Sequence, residues 1–196
     1  MAKRTKSEEQ KPKLTSAQEF RMDLYYWLQA LVVALIAIVL LFTFVGRIIG
    51  VKGSSMYPTL HNGDMMLVRS IGYHPKQGDV VVLTKESFLS EAIVKRVIAV
   101  GGQTVRIDYE ENKVYVDGVA LEEDYINFEE SDPMEEKPAE YYSEITVPEG
   151  SIFVMGDNRN WSTDSRSPSL GLVDERYVIG GVICVLFPFS NFGSVN

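Results

Sequence analysis

One cysteine and two histidines in 196 residues remove several chemistries at once. Cys184 has no second thiol to pair with, so no intrachain disulfide can form and the fold must rest on its core. Set in Val182-Ile183-Cys184-Val185-Leu186, it reads as a buried, inert thiol. His61 and His74 lack the spacing of a metal-ligating pair, and no acidic stretch has the EF-hand pattern, so no metal and no cofactor are expected. Positive charge is scarce as well. Against 27 Asp and Glu stand 19 Lys and Arg, a net charge of −8, which argues against nucleic acid as a partner. There is no internal repeat, and beyond Val51 there is no helical periodicity.

Charge is missing altogether from one stretch. Between Asp23 and Arg47 lie 23 uncharged positions, Leu24 to Gly46, mostly Leu, Val, Ile, Ala and Phe. As a helix this run would measure about 35 Å, enough for a hydrocarbon core of about 30 Å. Tyr25, Tyr26 and Trp27 stand at its start, where an aromatic belt belongs. The run exceeds the apolar region of a cleavable leader, about 7–15 residues, so a retained anchor in the lipid bilayer is expected over 24–46. Lys3, Arg4, Lys6, Lys11, Lys13 and Arg21 precede it, and only Arg47 and Lys52 follow closely. The positive-inside rule then predicts a cell-membrane protein with one span, a cytoplasmic N-terminus and an extracytoplasmic remainder. Residues 1–23 are expected to be a polar, disordered cytoplasmic tail.

Residues 47–196 change character. Met65 to Val68, Asp79 to Leu83, Ile93 to Val100, Thr104 to Tyr109, Lys113 to Val116, Glu144 to Val147, Ser151 to Met155 and Tyr177 to Leu186 read as strands, punctuated by Gly-containing turns. Asn112-Lys113 and Asp117-Gly118 suggest tight hairpins. The expected class is therefore mostly β: an antiparallel β domain behind one N-terminal transmembrane helix. Residues 121–146 hold ten acidic side chains and one basic one, and read as a solvated acidic excursion between strands.

Three segments concentrate reactive or hydrogen-bonding residues. Ser55 lies in Gly53-Ser54-Ser55-Met56-Tyr57-Pro58-Thr59-Leu60. Lys95 lies in Ala92-Ile93-Val94-Lys95-Arg96-Val97-Ile98, a strand apolar on both faces. A serine hydroxyl needs a nearby base, and a lysine serves only when neutral. Burial among aliphatic side chains lowers its pKa. A shift of about three units amounts to roughly 4 kcal/mol. The third segment, Gly156 to Arg166, is dense in Asp, Asn, Arg and Ser, as in a fixed hydrogen-bonded knot. A His-based triad is disfavoured, because His61 sits in a turn only six residues from Ser55.

The ordered boxes Gly-x-Ser-Met-x-Pro-Thr-Leu, Lys-Arg in an apolar strand, and Gly-Asp-Asn-Arg-x-x-Ser-x-Asp-Ser-Arg resemble the signature of type I signal peptidases. With one N-terminal anchor, the chain is similar to their Gram-positive form. The resemblance implies partly barrel-like sheets and a membrane-bound serine endopeptidase that removes N-terminal signal peptides from exported preproteins at small-residue sites. It implies Ser55 as nucleophile and Lys95 as general base, with Ser162 orienting the lysine. Asp164 and Arg166 would form a supporting ion pair, and Gly156 would allow close approach of the loop. The Ser55 N–H would face the oxyanion. Val51, Met56, Leu60, Ile93 and Val94 would line shallow substrate pockets. Gly53 stands where some members carry a serine that helps the oxyanion hole, and Trp161 stands where Asn is common. Partners implied are preprotein signal peptides, the bilayer and proximity to the secretion translocon.

Two other classes fit part of the pattern. Self-cleaving Ser-Lys repressor-type peptidases are soluble and carry DNA-binding modules, which the apolar span disfavours. A peptidase-like, membrane-tethered β domain acting in secretion or pilus assembly need not keep both Ser55 and Lys95. The anchor adds effective concentration toward an anchored substrate. Ser55 follows Gly46 by nine residues, an extended reach of at most about 30 Å, so the site is expected close to the membrane face.

Overall fold

The structure, a computed structural model, describes residues 15–40, 46–85, 89–126, 133–136 and 144–195. The chain forms two compact units, Met1–Leu41 and Phe42–Asn196. In the first unit, helix α1 runs over Ser16–Leu40. It starts eight residues before the uncharged run for a local reason. The Gln18 side chain accepts from the Thr15 N–H at 2.9 Å, one half of a capping box. Its 25 residues measure about 37 Å, its mean hydropathy reaches 2.0, and none of its described residues is buried. From Leu24 onward its surface is uncharged and mostly apolar, which suits lipid. The expected tail before residue 15, and residues 41–45 of the expected span, lie outside the described residues.

In the second unit every described strand pairing is antiparallel. Its strands are β1 (Gly46–Gly50), β2 (Met65–Arg69), β3 (Val80–Lys85), β4 (Leu89–Val100), β5 (Thr104–Asp108), β6 (Lys113–Val116), β7 (Val119–Ala120), β8 (Glu144–Thr146), β9 (Ser151–Met155), β10 (Val173–Asp174), β11 (Val178–Phe187) and β12 (Gly193–Ser194). The larger sheet has the order β1-β2-β11-β3-β4-β9-β10, with β12 also on β11. The smaller is β7-β6-β5-β8.

The larger sheet curls. Three strands separate β1 from β4, yet Lys52, just past β1, forms an ion pair with Glu91 of β4 at 3.0 Å. Only a sheet rolled toward closure brings those positions together. The inside of the roll is filled by Val51, Met56, Leu60, Met66, Val68, Val80, Val82, Val182 and Val185. A second core lies between β4 and β9 and the smaller sheet, built on Ile98, Val105, Val114, Val147, Phe153 and Met155.

Both hairpin signals sit at residues with positive φ. Asn112 has φ 55°, while Asp117 and Gly118 have 51° and 78°, the pair of values a type I′ turn requires. The acidic excursion departs from the expected solvated loop. Met134 is buried in the second core, and the Glu123 side chain is only 6% exposed in its ion pair. Residues 127–132 and 137–143 of the excursion lie outside the described residues.

Candidate active site

Lys95 is placed by the register of β4. On one side Val81 pairs with Lys95, and on the other Met155 pairs with Arg96, so β9 delivers the following loop directly beside these two residues. Lys95 is 3% exposed. Its Nζ lies 2.7 Å from Ser55 Oγ and 2.9 Å from the Val94 carbonyl. Burial lowers its pKa to about 8; the Asp164 and Asp157 carboxylates pull it up, and Arg166 pushes it down.

Ser55 occupies a loop tied at several backbone positions. Val51 N–H donates to Asp64 O at 2.8 Å, and Gly63 N–H donates to Val51 O at 2.9 Å. Gly53 N–H donates to the Asn62 side-chain oxygen at 2.9 Å. The Ser55 carbonyl accepts from Asn158 N–H at 3.1 Å, and the Asn158 side chain donates to Ser54 O at 3.1 Å. The nucleophile loop and the loop after β9 therefore grip each other.

That second loop is built on three buried guanidinium–carboxylate pairs. Arg166 forks Asp164 with two contacts of 2.8 Å. Arg96 forks Asp157 at 2.9 and 2.8 Å, and Asp157 also accepts the Thr59 hydroxyl at 2.5 Å. Arg159 pairs with Glu123 at 2.6 Å. Bidentate geometry of this kind fixes orientation as well as charge. Burial alone would raise the Asp164 pKa, but Arg166 and the Gly156 N–H hold it below the usual carboxylate value. The Ser162 hydroxyl is buried beside Asp164 and helps to hold its charge, yet makes no hydrogen bond of ordinary geometry among the described residues. It is not bonded to the lysine amine here. At Gly156 an added Cβ would run into the Ser162 hydroxyl and the Ser55 carbonyl, so only glycine fits.

Beside the Ser55–Lys95 pair opens a cleft of about 740 Å³. One rim is Ile49 to Gly53, the other Glu91 to Val94, with Met56 and Val82 between them. Among the described residues β1 is the last strand of its sheet, and β9 pairs with β4 only from Arg96 onward, so each rim offers a strand edge that no described strand covers. Val51, Met56, Ile93 and Val94 line this cleft. Leu60 does not; it is fully buried in the first core, because its helical-turn position points it inward from the loop. Sequence reasoning missed the roles of Thr59, Asp157, Arg159 and Glu123, and the Lys52–Glu91 contact across the rims. A charged Arg96 inside an apolar strand was a usable signal. Glu123, one acid among many, gave none.

The sequence matches the family described as signal peptidase, peptidase S26, over residues 24–187. It is 37% identical over 176 residues to a probable signal peptidase I-1 of Synechocystis, covering 85% of this chain and 84% of that one. It is 35% identical over 174 residues to signal peptidase I of Bacillus licheniformis, covering 86% and 91%. It is 36% identical over 169 residues to signal peptidase I T of Bacillus subtilis, covering 84% and 86%. A crystal structure of a signal peptidase I from Enterococcus faecalis aligns with a TM-score of 0.45 at 31% identity, over 55% of this chain and 96% of that one.

Proposed function

The chain belongs to the signal peptidase family, peptidase S26, and from that premise we propose that it cleaves signal peptides from exported preproteins with a Ser55–Lys95 dyad. Membership makes it a serine peptidase of the signal peptidase I type, and among the described residues it has one apolar N-terminal helix long enough to cross a membrane. The observation that carries the dyad is the 2.7 Å approach of a nearly inaccessible lysine amine to one hydroxyl.

Neutral Lys95 accepts the Ser55 proton as Oγ attacks the scissile carbonyl. The Ser55 N–H, whose loop is held by Asn158 and Asn62, donates to the oxyanion; one such donor is worth about 10²–10³ in rate. With glycine at position 53, no side-chain hydroxyl adds to it from there. Lys95, now protonated, passes the proton to the leaving amine, and then activates the water that releases the acyl-enzyme. Asp164 and Asp157 stabilise the ammonium during the interval when it carries charge, while burial restores the neutral form.

The two rim edges support an extended substrate lying between β1 and β4 by strand addition. The apolar cleft between them suits small side chains near the cut. The basic flank before the span supports a cytoplasmic N-terminus and a β unit outside, where substrates would emerge from the translocon.

The test is cleavage of a synthetic leader peptide, with Ala one and three residues before the cut, by the full chain in detergent. Wild type should cleave it, and Ser55→Ala and Lys95→Ala should not while melting as folded proteins. Full activity in Lys95→Ala would remove the lysine from the mechanism. Replacing either Ala of the peptide with Leu should abolish cleavage; unchanged cleavage would sink the small-residue preference.

A further inference from the structure

The acidic segment reaches under the site with two side chains. The Glu123 carboxylate takes both terminal nitrogens of Arg159, at 2.6 and 3.1 Å, and is 6% exposed. Arg159 Nε donates to the Gly156 carbonyl at 3.1 Å, and the Arg159 carbonyl accepts from Arg166 at 2.6 Å. The Tyr125 ring lies 3.9 Å from the Arg96 guanidinium, and its hydroxyl donates to Glu123 at 2.9 Å. Burial pushes the Tyr125 pKa up, and the Glu123 charge pushes the same way, so the phenol stays a neutral donor. A further tie lies at 133–136, where Asn160 donates to Pro133 O at 3.1 Å and accepts from Glu135 N–H at 2.9 Å.

The charges form a short chain toward Lys95. Arg159 faces Glu123, Tyr125 and Asp157. Asp157 is held by Arg96 and Thr59. Lys95 faces Ser55 from the nucleophile loop, and Asp164, Asp157 and Arg166 from the loop after β9. A guanidinium that loses its buried partner seeks another carboxylate, since an unpaired buried charge is strongly unfavourable. For Arg159, Asp157 already lies within its field.

We propose that Glu123 and Tyr125 are positioning residues for Lys95: Glu123 neutralises Arg159, and Tyr125 braces Arg96, so that Asp157 keeps its place on Arg96 and Thr59 and its charge acts on the lysine. This rests on the Ser55–Lys95 reading above. Residues 121–126 then form a strap that sets the field around the base.

The experiment measures kcat/KM against pH for leader-peptide cleavage by the full chain in detergent, with melting temperatures alongside. In Glu123→Gln, Arg159 keeps its charge and draws on Asp157, so the Lys95 proton is held less tightly. The acid limb should move to lower pH by on the order of half a unit. Glu123→Asp should keep the wild-type midpoint, and Glu123→Gln combined with Arg159→Gln should return to it. A purely structural role would lower rate and melting temperature with the midpoint unmoved, and that result overturns the proposal. Should Glu123→Gln fail to fold, Tyr125→Leu carries the test. It should lower kcat several-fold at unchanged KM while Tyr125→Phe matches wild type; equal kcat in all three overturns it. A wild type that cannot cleave sinks the dyad reading and this inference together, whereas a wild type that cleaves with unmoved variant midpoints sinks this inference alone.

Discussion

At Lys95 the same burial that would prepare the proposed base also weakens the fold. Its pKa is lowered from 10.5 to about 8, so between those values the unfolded chain holds the extra proton and stability rises with pH. Below that window the buried ammonium opposes folding by about 3 kcal/mol. Lys95→Met should therefore stabilise the protein at pH 7 by up to about 3 kcal/mol, the gain fading as pH rises from 8 to 10.5. Urea melts that stay parallel across this range would refute the burial argument. Wild-type activity should also rise with pH, with an acid limb centred near 8 where chemistry limits the rate. Gly156→Ala should abolish activity and destabilise by about 1–3 kcal/mol or more, because the new methyl meets the Ser55 carbonyl and the Ser162 hydroxyl; a fully active, equally stable variant would contradict the close approach. The closeness of Ser55 and Lys95 was legible because each is chemically odd in its surroundings, a serine at a Gly-led turn and a charge in an apolar strand. Glu123 and Thr59 were not, since their partners lie 36 and 98 residues away, a distance local pattern cannot bridge.

Among the elements, the loop from Gly156 to Arg166 is held mainly by charge. Asp164→Ala would leave Arg166 fully buried without its partner, which should cost about 3–5 kcal/mol and appear as a lower urea midpoint at unchanged slope. Lys52→Ala removes an ion pair that is exposed on both sides, and should change stability by less than about 1 kcal/mol. Finding the two losses equal would mean burial does not set the strength of these pairs. Alternation and glycine turns made the longer strands readable: Lys113–Val116 and Ser151–Met155 match their expected limits. β4 begins earlier than expected, and β1 was hidden because its Gly46-Arg47-Ile48-Ile49-Gly50 abuts the apolar run and carries no alternation of its own. β10 and β12, two residues each, exist only through their neighbours. The curl that brings Lys52 to Glu91 has no sequence signature, being a property of twist summed over five strands.

For the whole molecule, orientation can be read directly. In a Cys184→Ser background, a cysteine at position 7 (Ser7→Cys) should resist a membrane-impermeant thiol reagent on intact cells, and one in the exposed turn at position 110 (Glu110→Cys) should react. The reverse pattern would invert the proposed topology. Net acidity also belongs to this scale: residues 24–196 carry 13 basic and 23 acidic side chains, a surplus that favours solubility of the β unit without specifying its fold. Finally, the charge state of Lys95 and that of Asp164 change at opposite ends of the pH scale, near 8 for the amine and below the ordinary carboxylate range for its neighbour. Between those limits the enzyme should idle with its fold kept. In a culture that sours its own medium, maturation of exported proteins should slow while the enzyme pool persists, and a return to mild alkali should revive it within the mixing time, with no new synthesis.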